Sequence, residues 1–433
     1  MKEKLFGLKK FNWRLWIALC LLSLIPAIYQ TIKTFLISYN GETGVFDIIG
    51  QMEWFDLINE TLQAFLIVPL YSILNKIYKV QKEKLAENVF KTGLISFILY
   101  TIFSLGLLIY GSVLIKNMNS NTIDLKTTSN YLYLETIAFM IGIIVSFVNV
   151  VFVVLQKEKN VYIFLIVRTI LSLTMDFILI PNFSVYGVAF SNIIVNTILA
   201  IISILILYYQ KNIKFCWFHK EDKTIFKNWL KVGSFSGFQQ FLDNFIYAIM
   251  VCKMVNLVAE QGNYWIANNF IWGWLLIPIT ALSEVIRSDC KDGYKNLKQF
   301  NYYFISSLVI LLWGLSIPLW TPFFQYGENL NNAKEIFLIV IKLVPFYIAY
   351  AGSAIIDNIF IGLGKTVYNF INSIIVNLVY YGIFYLLYLT KLITFNMNTI
   401  ILMFGFGMVV HLLVSVVEQK IFISKLNFND IKI

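Results

Sequence analysis

Charge is scarce in this chain: only 13% of its 433 residues are Asp, Glu, Lys or Arg, about half the share of an ordinary soluble domain. Histidine is rarer still. His219 lies in a polar stretch and His411 in a late apolar run, so no histidine-based metal cluster is to hand. Cys20, Cys216, Cys252 and Cys290 show no paired spacing and sit mostly in or beside apolar segments. They read as packing residues, not as disulfides or metal ligands. The sequence has no His-Glu-x-x-His, no acidic metal-binding repeat and no Ser/His pair, so an intramembrane enzyme lacks support and no cofactor or metal is expected. Low-complexity tracts are also missing, and no loop is long enough to hold a soluble domain.

What the chain has is apolar surface. Hydrophobic residues make up 59% of it, with a mean hydropathy of +0.73. A soluble fold has no interior large enough for that fraction, so the composition predicts an all-α polytopic membrane protein. Apolar periodic runs fall near 13–37, 48–75, 92–115, 131–156, 161–181 and 184–209, and again near 231–257, 263–286, 299–321, 335–362, 367–389 and 397–422. Each approaches or exceeds the roughly 20 residues of helix that cross a bilayer, which gives twelve spans. The basic N-terminus runs into an apolar stretch too long for a signal peptide and without an Ala-x-Ala-like site, so it reads as an uncleaved first span.

The net charge of +10 is a topology signal, not a nucleic-acid footprint. Cations crowd the N-terminus (Lys2, Lys4, Lys9, Lys10, Arg14) and every second loop after it, above all Lys76 to Lys91, Lys211 to Lys231 and Arg287 to Lys298. The alternate loops hold only Lys116, Lys126, Lys334 and Lys391. By the positive-inside rule both termini are cytoplasmic, and only an even number of spans keeps the alternation.

The chain also repeats. Lys159-Asn-Val-Tyr-Ile-Phe164 before the fifth span matches Lys365-Thr-Val-Tyr-Asn-Phe370 before the eleventh, about half a chain later. Two six-helix bundles related by an internal pseudo-two-fold repeat follow, with the substrate path between them. The expected lobes are 1–210 and 231–433. Residues 211–230 join them as a cytoplasmic linker, with an amphipathic helix at Trp217 to Lys231 lying on the inner surface.

Polar residues inside spans are costly and tend to face a bundle interior. Span two carries Glu53, Asp56, Glu60 and Gln63 at steps of three and four, on one helical stripe. Lys33, Glu60 and Asp176 fall in the outer half of the first lobe. With Arg168 they form a candidate charged network, Lys33 neutralising Asp176, Glu60 or both. In the second half Asp357 lies seven residues before Gly364, and Glu284 beside Arg287 reads as a structural charge. Gln239, Asn268 and Trp272 are candidates to line a pocket for flat cations, as are the neighbouring Trp265, Asn269 and Trp274. Pro26, Pro69, Pro278, Pro318 and Pro345 each remove a helix hydrogen bond and permit a bend.

The stretch Lys231 to Leu257 stands apart. It is long enough to span, yet Asp243 sits about 18 Å along it at about 1.5 Å per residue. A carboxylate there costs about 2.5–3.5 kcal/mol even on the lenient insertion scale. The spacing Gly233, Gly237, Asp243 resembles the seventh helix of the multidrug and toxic compound extrusion (MATE) family. Met175-Asp-Phe-Ile-Leu-Ile180 followed by Val185-Tyr-Gly-Val-Ala189 resembles that family's fifth-to-sixth helix passage, and Ile361-Gly-Leu-Gly-Lys-Thr366 the end of its helix ten. There are departures. In Tyr29-Gln-Thr-Ile-Lys-Thr34 Lys33 stands where the family's first helix often has an acid, Ser172 replaces an Asn, and the tenth-helix acid would fall near Tyr350.

The resemblance implies a monomeric secondary antiporter of the cell membrane. It would export amphipathic, cationic small molecules in exchange for H⁺ or Na⁺, with Asp243 and Asp357 as the cation-coupling or substrate residues. The competing expectation is a flippase for a lipid-linked saccharide or other anionic amphiphile, which Lys33 and Arg168 favour and the two aspartates oppose.

Overall fold

The computed structural model describes residues 11–40, 44–119, 124–217, 222–290, 293–294 and 297–430. His219 and the cations at 2–10, 220, 291, 295 and 432 lie outside them. Among the described residues, twelve helical passages follow the apolar runs. They are α1 (Trp13–Tyr39), α2 (Glu53–Val80), α3 (Lys82–Met118), α4 (Leu125–Val154), α5 (Lys159–Phe183) and α6 (Val185–Tyr209), then α7 (222–257). The last five are α8 (Gln261–Leu275 with Ile277–Asp289), α9 (Gln299–Gly327), α10 (Ala333–Gly362), α11 (Val367–Leu389) and α12 (Met397–Leu426). A short helix, Gly44–Gln51, precedes α2.

Ten of these are long and apolar enough to cross a membrane singly, and the two arms of α8, bent by 50°, make an eleventh if taken together. The protein is a multi-pass, all-helical membrane protein. The remaining passage, α7, has the length but is diluted by Gln239, Gln240, Asp243, Asn244 and Lys253. It begins at Asp222, inside the segment expected to be a linker.

Contacts divide the chain into two compact units. One comprises Tyr39–Ala259, holding α2 to α7; the other joins Met1–Ser38 to Glu260–Ile433, holding α1 and α8 to α12. Lobes defined by the repeat, 1–210 and 231–433, and units defined by contact thus differ by one helix in each direction. The exchange is reciprocal. In the first unit α7 packs on α2, and in the second α1 packs on α8.

Lipid tails are as apolar as leucine, so helices in a bilayer associate through close packing and hydrogen bonds more than through the hydrophobic effect. The first unit shows both. A Cβ added at Gly233 would lie 2.5 Å from the Phe65 carbonyl oxygen, and one at Gly237 would lie 2.2 Å from the Phe65 ring. The glycine pair therefore lets α7 approach the backbone of α2. It does so just where Pro69, lacking an N–H, cannot engage the Phe65 carbonyl. One residue on, Trp229 Nε1 donates to the Leu66 carbonyl at 3.1 Å. Behind this crossing Leu70 and Leu74 of α2, Val148 and Phe152 of α4, and Val195 and Leu199 of α6 share one buried core.

The second unit treats its own break the same way. Helix α8 bends at Leu276, ahead of Pro278, and indoles hydrogen-bond to the backbone on both sides of the break. Trp313 Nε1 donates to the Leu275 carbonyl and Trp16 Nε1 to the Pro278 carbonyl, each at 2.9 Å. Trp274 Nε1 reaches Thr31 Oγ1 of α1 at 3.1 Å. Two of the indoles come from α1 and α9, so the bend is fixed by tertiary contact.

Candidate functional site

In the first unit the polar residues of α7 meet α2 at the level of Asp243. Asn244 Nδ2 donates to the Leu57 carbonyl at 2.9 Å and approaches Thr61 Oγ1 at 3.1 Å and Glu60 Oε2 at 3.4 Å. Gln240 Nε2 donates to Asn244 Oδ1 at 2.9 Å. This amide clamp fixes the rotation of α7 and so the direction in which the half-buried Asp243, the preceding residue, is presented. Beside the clamp lies a cavity of about 400 Å³, walled by Trp54, Phe65, Phe103, Phe241 and Phe245, with Asn244 and Thr61 among its few polar atoms. That size and lining suit the apolar body of a small amphiphile. Gln239, half-buried, shares this helix face region with Asp243.

Further along the same unit two acids are buried outright: Glu135 of α4 and Asp176 of α5. Glu135 Oε1 accepts a hydrogen bond from Asn192 Nδ2 of α6 at 2.7 Å. Arg168 and Glu60 are exposed. Lys33 belongs to the other unit, where its ammonium stands 5.9 Å from the centre of the Tyr29 ring, one turn earlier on α1. The charged network expected from the sequence is thus distributed over two units.

The second unit holds the remaining candidates in two groups. Trp272 meets Tyr347 and Tyr350 of α10 edge-to-face, at 6.2 and 5.4 Å between ring centroids. The Tyr347 hydroxyl lies 3.5 Å from Asn268 Oδ1. These four form one aromatic and amide group, while Trp274 is spent on the α1 contact.

The other group surrounds Asp357. Its Oδ2 is 2.8 Å from His411 Nε2 and its Oδ1 accepts from Ser415 Oγ at 2.9 Å. Asn372 Nδ2 of α11 donates to Ser415 Oγ at 2.8 Å, and Asn369 Nδ2 to the Asp357 carbonyl at 3.1 Å. Next door, Arg287 bridges Glu284, at 2.7 Å, and Asn358, at 2.6 Å, so Glu284 has the structural partner that its spacing suggested. Among the described residues no set of three His, Cys, Asp or Glu side chains is arranged to hold a metal ion.

Sequence reasoning brought Asp357 forward but not its partners. His411 and Ser415, four residues apart on one face of α12, with Glu418 three further on, were the available signal. Glu135 and Asn192 were missed in the same way, each being a lone polar residue in an otherwise apolar run.

These helices, in this order, make the fold of solved MATE transporters of the MOP superfamily. An inward-facing multidrug resistance MATE family transporter superposes with a TM-score of 0.75 at 16% identity, over 92% of this chain and 95% of that one. An outward-facing one gives 0.68 at 18% identity, over 97% and 98%. A MOP superfamily transporter from Pyrococcus furiosus, whose binding pocket has reverse polarity suggesting a different function, gives 0.69 at 16% identity, again over 97% and 98%. No protein-family model matches the chain, and no curated protein matches it in sequence. At these identities the likeness is one of fold.

Proposed function

We propose that the protein is a secondary active antiporter of the cell membrane. It exports amphipathic, cationic small molecules in exchange for H⁺ or Na⁺, as a monomer with both termini in the cytoplasm. Two six-helix bundles rock about a site near the bilayer midplane. The observation that carries this reading is the likeness, over more than nine-tenths of the chain, to both inward-facing and outward-facing MATE structures. In support, Asp243 precedes Asn244, which belongs both to the amide clamp and to the lining of the apolar cavity. One charge moved through 100 mV is worth about 2.3 kcal/mol, which is enough to drive a useful gradient.

The test is uptake of a cationic dye into vesicles, with the pH and Na⁺ gradients imposed separately, for the parent and for Asp243→Asn. The substitution keeps the shape and removes the charge. Asp243→Asn is expected to reach the membrane and melt like the parent while losing gradient-driven transport. Transport at the parent's rate, with the same ion dependence, would show that coupling does not run through Asp243.

A second reading, flipping of an anionic amphiphile, draws on the cations Lys33 and Arg168 within spans and on the reversed pocket polarity of the Pyrococcus furiosus protein. Under it, Asp243→Asn leaves transport intact, and an anionic lipid-linked saccharide is the species moved.

A further inference from the structure

Lys159-Asn-Val-Tyr-Ile-Phe164 and Lys365-Thr-Val-Tyr-Asn-Phe370 repeat one pattern, yet the two units use it differently. In the first unit Tyr162 is 46% exposed and, among the described residues, meets no other ring. In the second, Tyr368 stacks on Phe360, with centroids 4.7 Å apart and planes within 18° of parallel. It also meets Phe422 of α12 edge-to-face at 5.9 Å, and Phe422 in turn meets Tyr294 at 5.3 Å.

Tyr294, Tyr368 and Phe422 line a cavity of about 380 Å³ where α10 turns into α11 beside the end of α12. Leu363 and Leu426 add apolar wall, and Lys365 and Lys425 add two cations. The turn is held firmly. Gly364, at φ +69°, redirects the chain after α10, and the Lys365 N–H donates to the Phe360 carbonyl at 2.7 Å. Phe422 and Lys425 are three residues apart, so α12 presents an aromatic ring and an ammonium on one face.

The charge around this cavity has a single sign. No acid lines it. Among the described residues neither lysine has an ion-pair partner, and neither tyrosine hydroxyl has a hydrogen-bond partner. Helix α11 begins at Val367, between Lys365 and Tyr368, so its first-turn amides and the positive end of its dipole fall at the same edge. Lysines at helix ends often do no more than snorkel to the membrane surface. Snorkelling, though, needs neither a concavity nor unpartnered hydroxyls beside the ammonium groups.

Donors without an acceptor call for an anion with several oxygens, and phosphate forms strong charge-assisted hydrogen bonds with lysine. The remaining lining is apolar, and on α11 Val367, 67% exposed, and Ile371, 43% exposed, continue along one face away from the cavity. They offer an acyl chain a path. On the proposed topology this end of the unit faces the cytoplasm, where basic pockets between helices recognise anionic headgroups.

We propose that Lys365 and Lys425, with the hydroxyls of Tyr294 and Tyr368, bind the phosphate headgroup of an anionic phospholipid at the cytoplasmic end of the second unit. The bound lipid ties the α10–α11 turn to the end of α12. Because it binds the folded state, it raises stability in proportion to its occupancy.

The experiment follows melting of full-length protein in detergent and phosphate-free buffer. Dioleoylphosphatidylglycerol, dioleoylphosphatidylcholine and inorganic phosphate are titrated separately. Phosphatidylglycerol is expected to raise the parent's melting temperature saturably, phosphatidylcholine to raise it less, and inorganic phosphate to leave it unchanged. Lys365→Gln/Lys425→Gln should lose most of the phosphatidylglycerol effect, and Lys365→Arg/Lys425→Arg should keep it. The control is Lys79→Gln/Lys159→Gln, which removes two exposed cations from the first unit and should behave as the parent does.

Native mass spectrometry gives a second readout, in which the parent should retain one more phosphatidylglycerol than the Gln pair. An equal loss in the control pair would reduce the effect to general surface charge and overturn the site. Equal stabilisation by phosphatidylcholine or by inorganic phosphate would overturn the anionic-lipid assignment, and so would a Gln pair that responds and retains lipid as the parent does. Neither readout involves a substrate or an ion gradient, so failure of the antiport reading would leave both intact.

Discussion

Gly233 shows how much one missing methyl group decides. Its hydrogen faces the Phe65 carbonyl, and a Cβ there would be only 2.5 Å from that oxygen. Backbone cannot rotate aside as a side chain can, so Gly233→Ala must move α7 or α2 as a whole. Overpacking of this kind costs about 1–3 kcal/mol. Gly106 on α3 is the control, because a Cβ there meets nothing within 4 Å, and alanine favours a helix over glycine. In detergent, Gly233→Ala is expected to melt below the parent, and Gly106→Ala to melt with it or above. Equal melting of the two variants would show that the α2–α7 crossing is not tight. Other glycines in the family-like motifs have comparable reasons. A Cβ on Gly187 would stand 2.4 Å from the Leu179 carbonyl and one on Gly362 2.7 Å from Cys290 Cβ, while Gly364, at φ +69°, turns the chain after α10 in a conformation other residues rarely adopt. The motifs that resemble the MATE family are thus largely packing and turn positions. They speak for the fold and are silent on the substrate.

At the level of elements, the connections carry chemistry as well as chain. The turn between α9 and α10 buries Glu328, 5% exposed, with no hydrogen-bond partner for its Oε2 among the described residues. Burial pushes its carboxyl up to about 8, because a low-dielectric site disfavours the charged form. The neutral acid therefore favours the folded turn. That contribution is complete below the carboxyl's ordinary value of 4.5 and is lost as the pH rises through about 8. Parent protein is accordingly expected to melt lower at alkaline than at mildly acidic pH. Glu328→Gln, neutral throughout, should flatten that part of the slope. An unchanged slope in the variant would mean that Glu328 does not titrate in the fold. In the same unit, side chains hold the bend of α8: the Trp313 indole donates to the Leu275 carbonyl before the break and the Trp16 indole to the Pro278 carbonyl after it.

For the whole molecule, the asymmetry of lysines and arginines gives a topology that can be read directly. A single cysteine is introduced into a chain whose four native cysteines have been replaced. At Lys223, near the start of α7, it is expected to be shielded from impermeant thiol reagents in intact cells. At Asn331, in the α9–α10 turn, it is expected to be labelled. The reverse pattern would invert the orientation and, with it, the direction of the proposed export. All twelve helical passages were legible in the composition, α7 included, since its polar residues interrupt the apolar run without shortening it.

The sequence alone determined the number, order and approximate ends of the helices. Those properties are local: a bilayer demands continuous backbone hydrogen bonding within each span, and Pro and Gly act within a turn of where they stand. The grouping of α1 with α8–α12, and of α7 with α2–α6, was decided only in three dimensions, by which helix faces have room for each other's backbone. The same holds for the pairing of Asp357 with His411, 54 residues away, and for the burial of Glu418 beside them. A polar residue in an apolar run announces that it needs a partner. Which partner it gets depends on helix crossing and rotation, and those are set by side chains far off in the chain.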